Sequence, residues 1–146
     1  MTKRTFTPAA LVVLALMPLY PSLAFAVQYT CTINSVLRLT EAGQFATHEW
    51  ENFYLERKFI VDREQGKVIS TTALKARLKN FDETHSPKVL SYGDEKSPFI
   101  SITIFEDKKE FSVLQIIENF AGPQKPFYYQ TYIDMLLTGT CEGNAS

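Results

Sequence analysis

Apolar and polar side chains alternate along most of the chain after residue 27, with the two-residue period of a β-strand. In the first such run, the apolar residues that share one face are Tyr29, Cys31, Ile33, Leu37 and Leu39. β-Branched and aromatic residues dominate these runs, and both types favour strands over helices. The pattern therefore predicts a chain built from strands that each bury one face.

The alternating runs are separated by turns, at the spacing of about 8–12 residues that is typical of a sandwich or barrel. The runs cover residues 29–39, 53–61, 68–72, 89–92, 99–105, 111–117 and 127–137. Polar or glycine-containing segments mark the main breaks, at 41–43, 62–66, 107–110 and 122–126. The sequence thus predicts an all-β fold, a single antiparallel meander barrel or sandwich of about seven or eight strands.

Residues 73–81 fit two patterns. Leu74, Leu78 and Phe81 have helical spacing, whereas every second residue from 74 to 78 is apolar, as in a strand. Periodicity alone does not decide so short a run. A short helix or irregular loop is favoured, because the polar, loop-like segment 80–87 follows at once.

Residues 1–26 have the organisation of a secretory signal peptide. Lys3 and Arg4 precede an apolar stretch at 9–19, and the small-x-small sequence at 24–26 is typical of a cleavage site. Two prolines interrupt the apolar stretch before it reaches the roughly 20 residues of a membrane-spanning helix. We therefore expect a periplasmic or secreted protein with no membrane span in the mature chain.

The mature chain would be a single β-domain of residues 27–146, with Cys31 near its start and Cys141 near its end. Two such cysteines are expected to form a disulfide in an oxidising compartment. In the chain-entropy model, closing so long a loop stabilises the fold by about 4–5 kcal/mol. The pairing also places the first and last strands side by side, which favours a barrel.

Composition argues against several classes of function. A formal net charge of −1 lacks the basic footprint of a nucleic-acid-binding protein. The chain has no Gly-x-Ser-x-Gly sequence, no glycine-rich phosphate loop and only two histidines, His48 and His85, which are interpreted as exposed loop residues. The sequence therefore indicates neither a metal site nor a cofactor, and favours a non-enzymatic protein. A glycan hydrolase using a carboxylate pair such as Glu49 and Glu51 stays open.

Aromatic residues are the candidates for binding. Trp50 and Tyr54 share a parity, as do Tyr128 and Tyr132, so each pair would share a face if both members lay on one strand. Such faces could stack on a sugar, a lipid or a partner's side chain. Ordinary cross-strand packing of aromatic rings is the alternative.

A basic cluster stands out in a mildly acidic chain: Lys75, Arg77, Lys79 and Lys88. It could contact anionic polymers of the cell envelope, or it could simply be a solvated face.

Four short segments resemble a group of small uncharacterised secreted proteins of Gram-negative bacteria. They are residues 29–31 (Tyr-Thr-Cys), 59–63 together with Gly66, 125–127 (Lys-Pro-Phe) and 138–141 (Thr-Gly-Thr-Cys). This resemblance implies an exported β-rich domain and supplies no activity.

The Tyr-x-Cys opening also resembles the periplasmic inhibitors of C-type lysozyme, which are small disulfide-bonded β-barrels. In that family a Ser-Gly-x-x-Tyr segment makes the inhibitory contact, and this chain has no Ser-Gly dipeptide.

The function we expect is that of a non-enzymatic exported binding protein with a protein or glycan partner. One alternative is a lipocalin-like carrier with a small apolar ligand inside the barrel, and the other is the envelope glycan hydrolase. A carrier requires an internal cavity, whereas a binding protein requires a filled core and an exposed patch.

Overall fold

The computed structural model describes residues 28–70, 78–131 and 133–144. The strands and the short helix within these ranges are, in chain order, β1 (Gln28–Leu39), β2 (Phe45–Thr47), α1 (Glu51–Tyr54), β3 (Lys58–Asp62), β4 (Val68–Ser70), β5 (Lys88–Tyr92), β6 (Phe99–Phe105), β7 (Glu110–Ile116), β8 (Gln124–Gln130) and β9 (Met135–Asn144). The described ranges contain no helix that is long and apolar enough to cross a membrane. The predicted all-β class is confirmed.

Eight strands form one antiparallel sheet in the order β4-β3-β1-β9-β8-β7-β6-β5, and β2 extends the pairing at the end of β1. From β5 to β9 each strand pairs with the next, as expected for a meander. The last strand then pairs with the first, from Gln28 opposite Asn144 to Arg38 opposite Met135. The sheet curls into a half-barrel, which is a single layer rather than a sandwich.

The concave face of the sheet carries the hydrophobic core, because alternate residues of the long strands point into it. The ring centroid of Phe59 lies 5.2 Å from that of Phe127 and 6.2 Å from that of Tyr129. Fully buried aliphatic side chains pack around these rings: Ile33, Val36, Val61, Leu114, Ile116 and Leu137. The core is therefore filled by the protein's own side chains.

A disulfide joins the first strand to the last. Cys31 and Cys141 are directly opposite in the register of β1 and β9, with Cα atoms 3.9 Å apart, and both are completely buried. The bridge connects positions 110 residues apart, and it confirms the predicted pairing.

Because β1 contains a β-bulge, the face predicted for Leu37 and Leu39 is wrong. The register between β1 and β9 shifts between Ile33 and Ser35, so one extra residue enters the strand. An extra residue reverses which side chains face inward. Val36 is consequently buried, whereas Leu37 is only half-buried and Leu39 is exposed.

Residues 78–80, which lie outside the strands, pack on the concave face between β4 and β6. The hydroxyl of Tyr129 donates to the carbonyl of Leu78, and the hydroxyl of Thr103 donates to that of Asn80. The Asn80 side chain accepts from the amide of Val68 and donates to the carbonyl of Gly66. Of the ambiguous run, residues 73–77 lie outside the described residues, and residues 79–81 belong to no helix or strand.

The predicted strand at 53–61 is wrong in its first half. Residues 51–54 form α1, Glu56 has a left-handed backbone with φ of 61°, and β3 begins only at Lys58. The helical turn buries Tyr54 completely while it leaves Phe53 exposed. Burial of this one large ring therefore overrides the strand propensity of the segment.

The predicted strand at 127–137 is in fact two strands. β8 ends at Gln130 and β9 begins at Met135, and the amide of Thr131 donates to the carbonyl of Met135 across the turn. Asp134 supplies the left-handed conformation, with φ of 58°. The aspartate takes the place that glycine usually has in such a turn.

Candidate functional site

Trp50 and Tyr54 lie at the two ends of α1 rather than on one strand, so they do not share a strand face. Trp50 is at the N-cap position, with its ring 5.2 Å from the ring of His48. Tyr54 is the last helical residue and is buried in the core. Of this pair, only Trp50 presents its ring to solvent, and its role in binding stays a prediction.

Tyr128 lies on the convex face of β8, where its hydroxyl donates to Oε1 of Gln115 over 2.7 Å. Gln115 is directly opposite Tyr128 in the pairing of β7 with β8. Tyr128 thus has a cross-strand hydrogen-bond partner, and its role in binding stays a prediction. Tyr132 lies outside the described residues.

An apolar groove of about 460 Å³ lies where the β1–β2 hairpin meets the β8–β9 turn, and we call it the hairpin groove. Its lining residues are Leu39, Thr40, Glu41, Phe45, Gln130, Asp134, Met135 and Leu136. The pairing of β1 with β9 brings the two connections together, because the end of β1 lies beside the start of β9.

The two large side chains of the hairpin are exposed in this groove. Leu39 and Phe45 are opposite each other in the register, and they are 63% and 64% exposed. Leu39 is exposed because the bulge in β1 turns it away from the core. Exposed apolar side chains that line a groove together are typical of an interaction site.

Hydrogen bonds hold the hairpin in shape. Within the turn, the amide of Gly43 donates to the carbonyl of Thr40, and the amide of Gln44 donates to the Thr40 hydroxyl. Gly43 has a φ of 73°, which residues with a side chain rarely adopt. The apolar wall of the groove is therefore built on an ordered turn.

Two carboxylates border the hairpin groove. Glu41 and Asp134 line it, and both residues are exposed. Among the described residues, the lining contains one hydroxyl group, that of Thr40, and no histidine, serine, cysteine or lysine. The arrangement can bind an apolar side chain with a cation beside it.

The carboxylates suggested for a hydrolase lie elsewhere. Glu49 is exposed just before α1, and Glu51 is its first, half-buried residue. Neither lines the hairpin groove. Burial raises the pKa of the carboxyl of Glu118, which lies near Arg63, and Lys125 opposes the shift.

The side chain of Arg63, a residue that the sequence did not indicate as part of a site, links two turns by hydrogen bonds. Its Nε donates to the carbonyl of Tyr92 over 2.7 Å, and a terminal nitrogen donates to that of Gly93 over 2.5 Å. The same nitrogen lies 3.9 Å from Oε1 of Glu118, beyond hydrogen-bond distance. Burial lowers the pKa of Arg63, and Asp94 opposes this. The hydrogen bonds of Arg63 thus connect the β3–β4 turn to the β5–β6 turn.

His85 is a structural residue rather than the exposed loop residue that the sequence indicated. Its Nδ1 lies 2.9 Å from Oδ1 of Asp82, its Nε2 lies 3.4 Å from Oδ1 of Asp107, and its ring contacts Phe105. Hydrogen bonds from Thr84 and His85 hold the pKa of Asp82 far below its usual range. The histidine thus ties the segment before β5 to the β6–β7 turn.

In the part of the chain that the structure describes, no group of three or more His, Cys, Asp or Glu side chains is arranged to hold a metal ion. No family model matches the chain, and comparisons with curated proteins and with solved structures gave no significant match. The interpretation of its function therefore depends on the geometry of its own residues.

Proposed function

We propose that the protein is a non-enzymatic binding protein, exported to the periplasm or the outside of the cell, that holds a protein partner in the hairpin groove. The observation that carries the proposal is the exposed pair of Leu39 and Phe45, set in an ordered groove with carboxylates at its border. Export is supported by the signal-peptide organisation of residues 1–26 and by the Cys31–Cys141 bridge, since disulfides persist in oxidising compartments.

The packed core favours a surface-binding protein over a carrier. A lipocalin-like carrier needs an internal cavity for its apolar ligand. Here the rings of Phe59, Phe127 and Tyr129 contact one another on the concave face, where such a ligand would lie. On the hairpin, by contrast, the exposed side chains of Leu39 and Phe45 line a groove that is open to a partner.

The chemistry of the groove defines the partner. Full burial of a side chain such as Phe45 or Leu39 at an interface stabilises a complex by about 1.5–3 kcal/mol. Glu41 and Asp134 then favour a lysine or arginine next to the partner's apolar side chain, and disfavour an acidic one. The expected partner is a protein segment that presents an apolar residue flanked by a basic one.

Selection from a displayed library of random peptides tests this proposal. We expect the wild-type protein to enrich peptides with an aromatic or aliphatic residue next to lysine or arginine. Phe45→Asp should abolish the enrichment, and the double variant E41Q/D134N should keep the apolar preference but lose the basic one. Phe45 is largely exposed, so its replacement should leave the melting temperature close to that of the wild type.

Ile69→Asp is the matched control, because Ile69 is an exposed apolar residue of β4 that does not line the hairpin groove. It should leave the enrichment unchanged. The proposal is wrong if the wild type enriches no motif, if the motif is acidic, or if Phe45→Asp selects the same peptides. Native mass spectrometry of protein purified from its own source adds a direct check, since a bound small apolar molecule would indicate a carrier.

A further inference from the structure

A second groove, the side groove, lies between the β3–β4 turn and β5, with a volume of about 440 Å³. The side chains that border it are mostly polar: Glu64, Gln65, Lys67, Ser86, Lys88 and Tyr92. A volume of this size is within the usual range for small-molecule sites, about 300–1,000 Å³. None of its lining residues belongs to the hairpin groove.

One wall of the side groove is the β3–β4 turn, which packs directly on β5 and β6. A Cβ atom on Gly66 would lie 2.8 Å from Cβ of Ser101 and 3.0 Å from Cγ2 of Val89. The carbonyl of Gly66 also accepts hydrogen bonds from the side chains of Asn80 and Ser101. These contacts fix the turn, so the groove is formed before a ligand arrives.

The other wall ends in an aromatic ring that faces solvent. Tyr92 is 60% exposed, although its carbonyl is held by the side chain of Arg63. A ring on a fixed backbone provides a flat apolar surface at little cost in conformational entropy, and its hydroxyl can hydrogen-bond as well. Tyr92 is thus suited to stack on a ligand.

Charge adds a preference for anions. Lys67 and Lys88 line the groove together with one carboxylate, that of Glu64, which leaves a local surplus of positive charge in a chain whose formal net charge is −1. Lys79 lies close by, since Nζ atoms of both Lys67 and Lys79 approach the ring of Phe81. Gln65 and Ser86 supply uncharged hydrogen-bonding groups.

We propose that the side groove binds an acidic oligosaccharide. A sugar ring presents an apolar face to Tyr92 and hydroxyl groups to Gln65 and Ser86, and a carboxylate on the sugar would lie against Lys67 and Lys88. A stacking ring combined with neutral polar groups and cations fits an acidic sugar better than a bare anion, which needs no ring. This site is separate from the hairpin groove, so the two proposals succeed or fail independently.

Isothermal titration with trigalacturonate, an acidic trisaccharide, tests the proposal. We expect the wild type to bind it more tightly than the neutral maltotriose, and more weakly as salt is added. Tyr92→Ala and the double variant K67M/K88M should each lower the affinity about tenfold or more, whereas Tyr92→Phe should retain most of it. Lys58→Met, which removes an exposed lysine of β3 outside the groove, is the matched control and should change nothing.

Tripolyphosphate distinguishes a sugar site from a simple basic patch. Tripolyphosphate should bind more weakly than trigalacturonate, and Tyr92→Ala should not change its affinity. The proposal is overturned if millimolar trigalacturonate does not bind, if Tyr92→Ala binds it as well as the wild type, or if tripolyphosphate binds equally and depends only on the lysines. Tyr92 is mostly exposed, so an unchanged melting temperature shows that Tyr92→Ala is folded. Phe45→Asp should retain trigalacturonate binding.

Discussion

The α-carbon of Gly139 lies so close to the carbonyl oxygen of Thr32 that a Cβ atom there would overlap that oxygen. The same Cβ would be 2.9 Å from the ring of Phe127 and 3.0 Å from the amide nitrogen of Asn34. Two of these three neighbours are backbone atoms, which cannot turn aside. The close approach lies at the bulge of β1, next to the disulfide.

Gly139→Ala should therefore destabilise the protein by about 2–3 kcal/mol, since a well-packed site that receives an extra carbon forces the backbone to shift. Urea unfolding of the two proteins measures the difference. Thr140→Ala is the control, because Thr140 is a half-buried residue of the same strand and should cost much less. Equal losses in the two variants would show that β1 and β9 can separate to make room.

The disulfide should be a main source of stability. C31S/C141S should lower the free energy of unfolding by about 4–5 kcal/mol if the effect is the loss of loop closure in the unfolded chain. Thermal melting under oxidising conditions compares the two proteins, and the variant should melt at a clearly lower temperature than the wild type. A variant that melts at the wild-type temperature would contradict the prediction.

Asn80 should be among the most sensitive polar residues of the core. Asn80→Ala leaves the buried amide of Val68 and the carbonyl of Gly66 each without one partner, at a cost of about 2–4 kcal/mol in the free energy of unfolding. Asn52→Ala removes an exposed asparagine of α1 and should cost under about 0.5 kcal/mol. Chemical unfolding measures the free energy of unfolding of both variants. Similar losses in the two would show that water replaces the hydrogen bonds of Asn80.

Glu118 should make stability fall as pH rises from the acidic range. Because burial raises the pKa of its carboxyl, the folded protein binds the proton more tightly than the unfolded chain does. The resulting contribution is complete below the ordinary glutamate pKa of about 4.3, and it is lost as pH rises through the higher pKa of the folded state.

Glu118→Gln keeps a neutral side chain at every pH. We expect it to match the wild type in acid and to be more stable at neutral pH, as followed by urea unfolding across the pH range. Glu106→Gln, at an exposed position, should leave the pH profile unchanged. A less stable Glu118→Gln at neutral pH would mean that the 3.9 Å approach to Arg63 outweighs the cost of burial.

The local alternation and the positions of the two cysteines were enough to predict part of the sheet. The alternation at 99–105 and 111–117 correctly placed β6 and β7, and the position of the cysteines correctly placed β1 beside β9. The turn before Met135 was missed, because it contains neither glycine nor proline and the apolar alternation continues through it.

The candidate sites depend on contacts that the alternation of apolar and polar residues does not predict. The alternation predicts that Leu39 faces the core if β1 is regular, but the bulge turns it outward. The signal, seen afterwards, is the apolar Val36, which breaks the alternation between Ile33 and Leu37. Arg63 and Tyr92 are distant in the chain, and only the curl of the sheet brings them together.

The pairing of β1 with β9 also governs when this chain can fold. In a polypeptide that emerges with its N-terminus first, one side of β1 has no partner until β9 is available. Cys31 likewise cannot form its disulfide until Cys141 is available. Contacts between such distant segments form slowly, because a long loop must close before they stabilise anything. This topology therefore delays completion of the sheet until nearly the whole chain is available to fold.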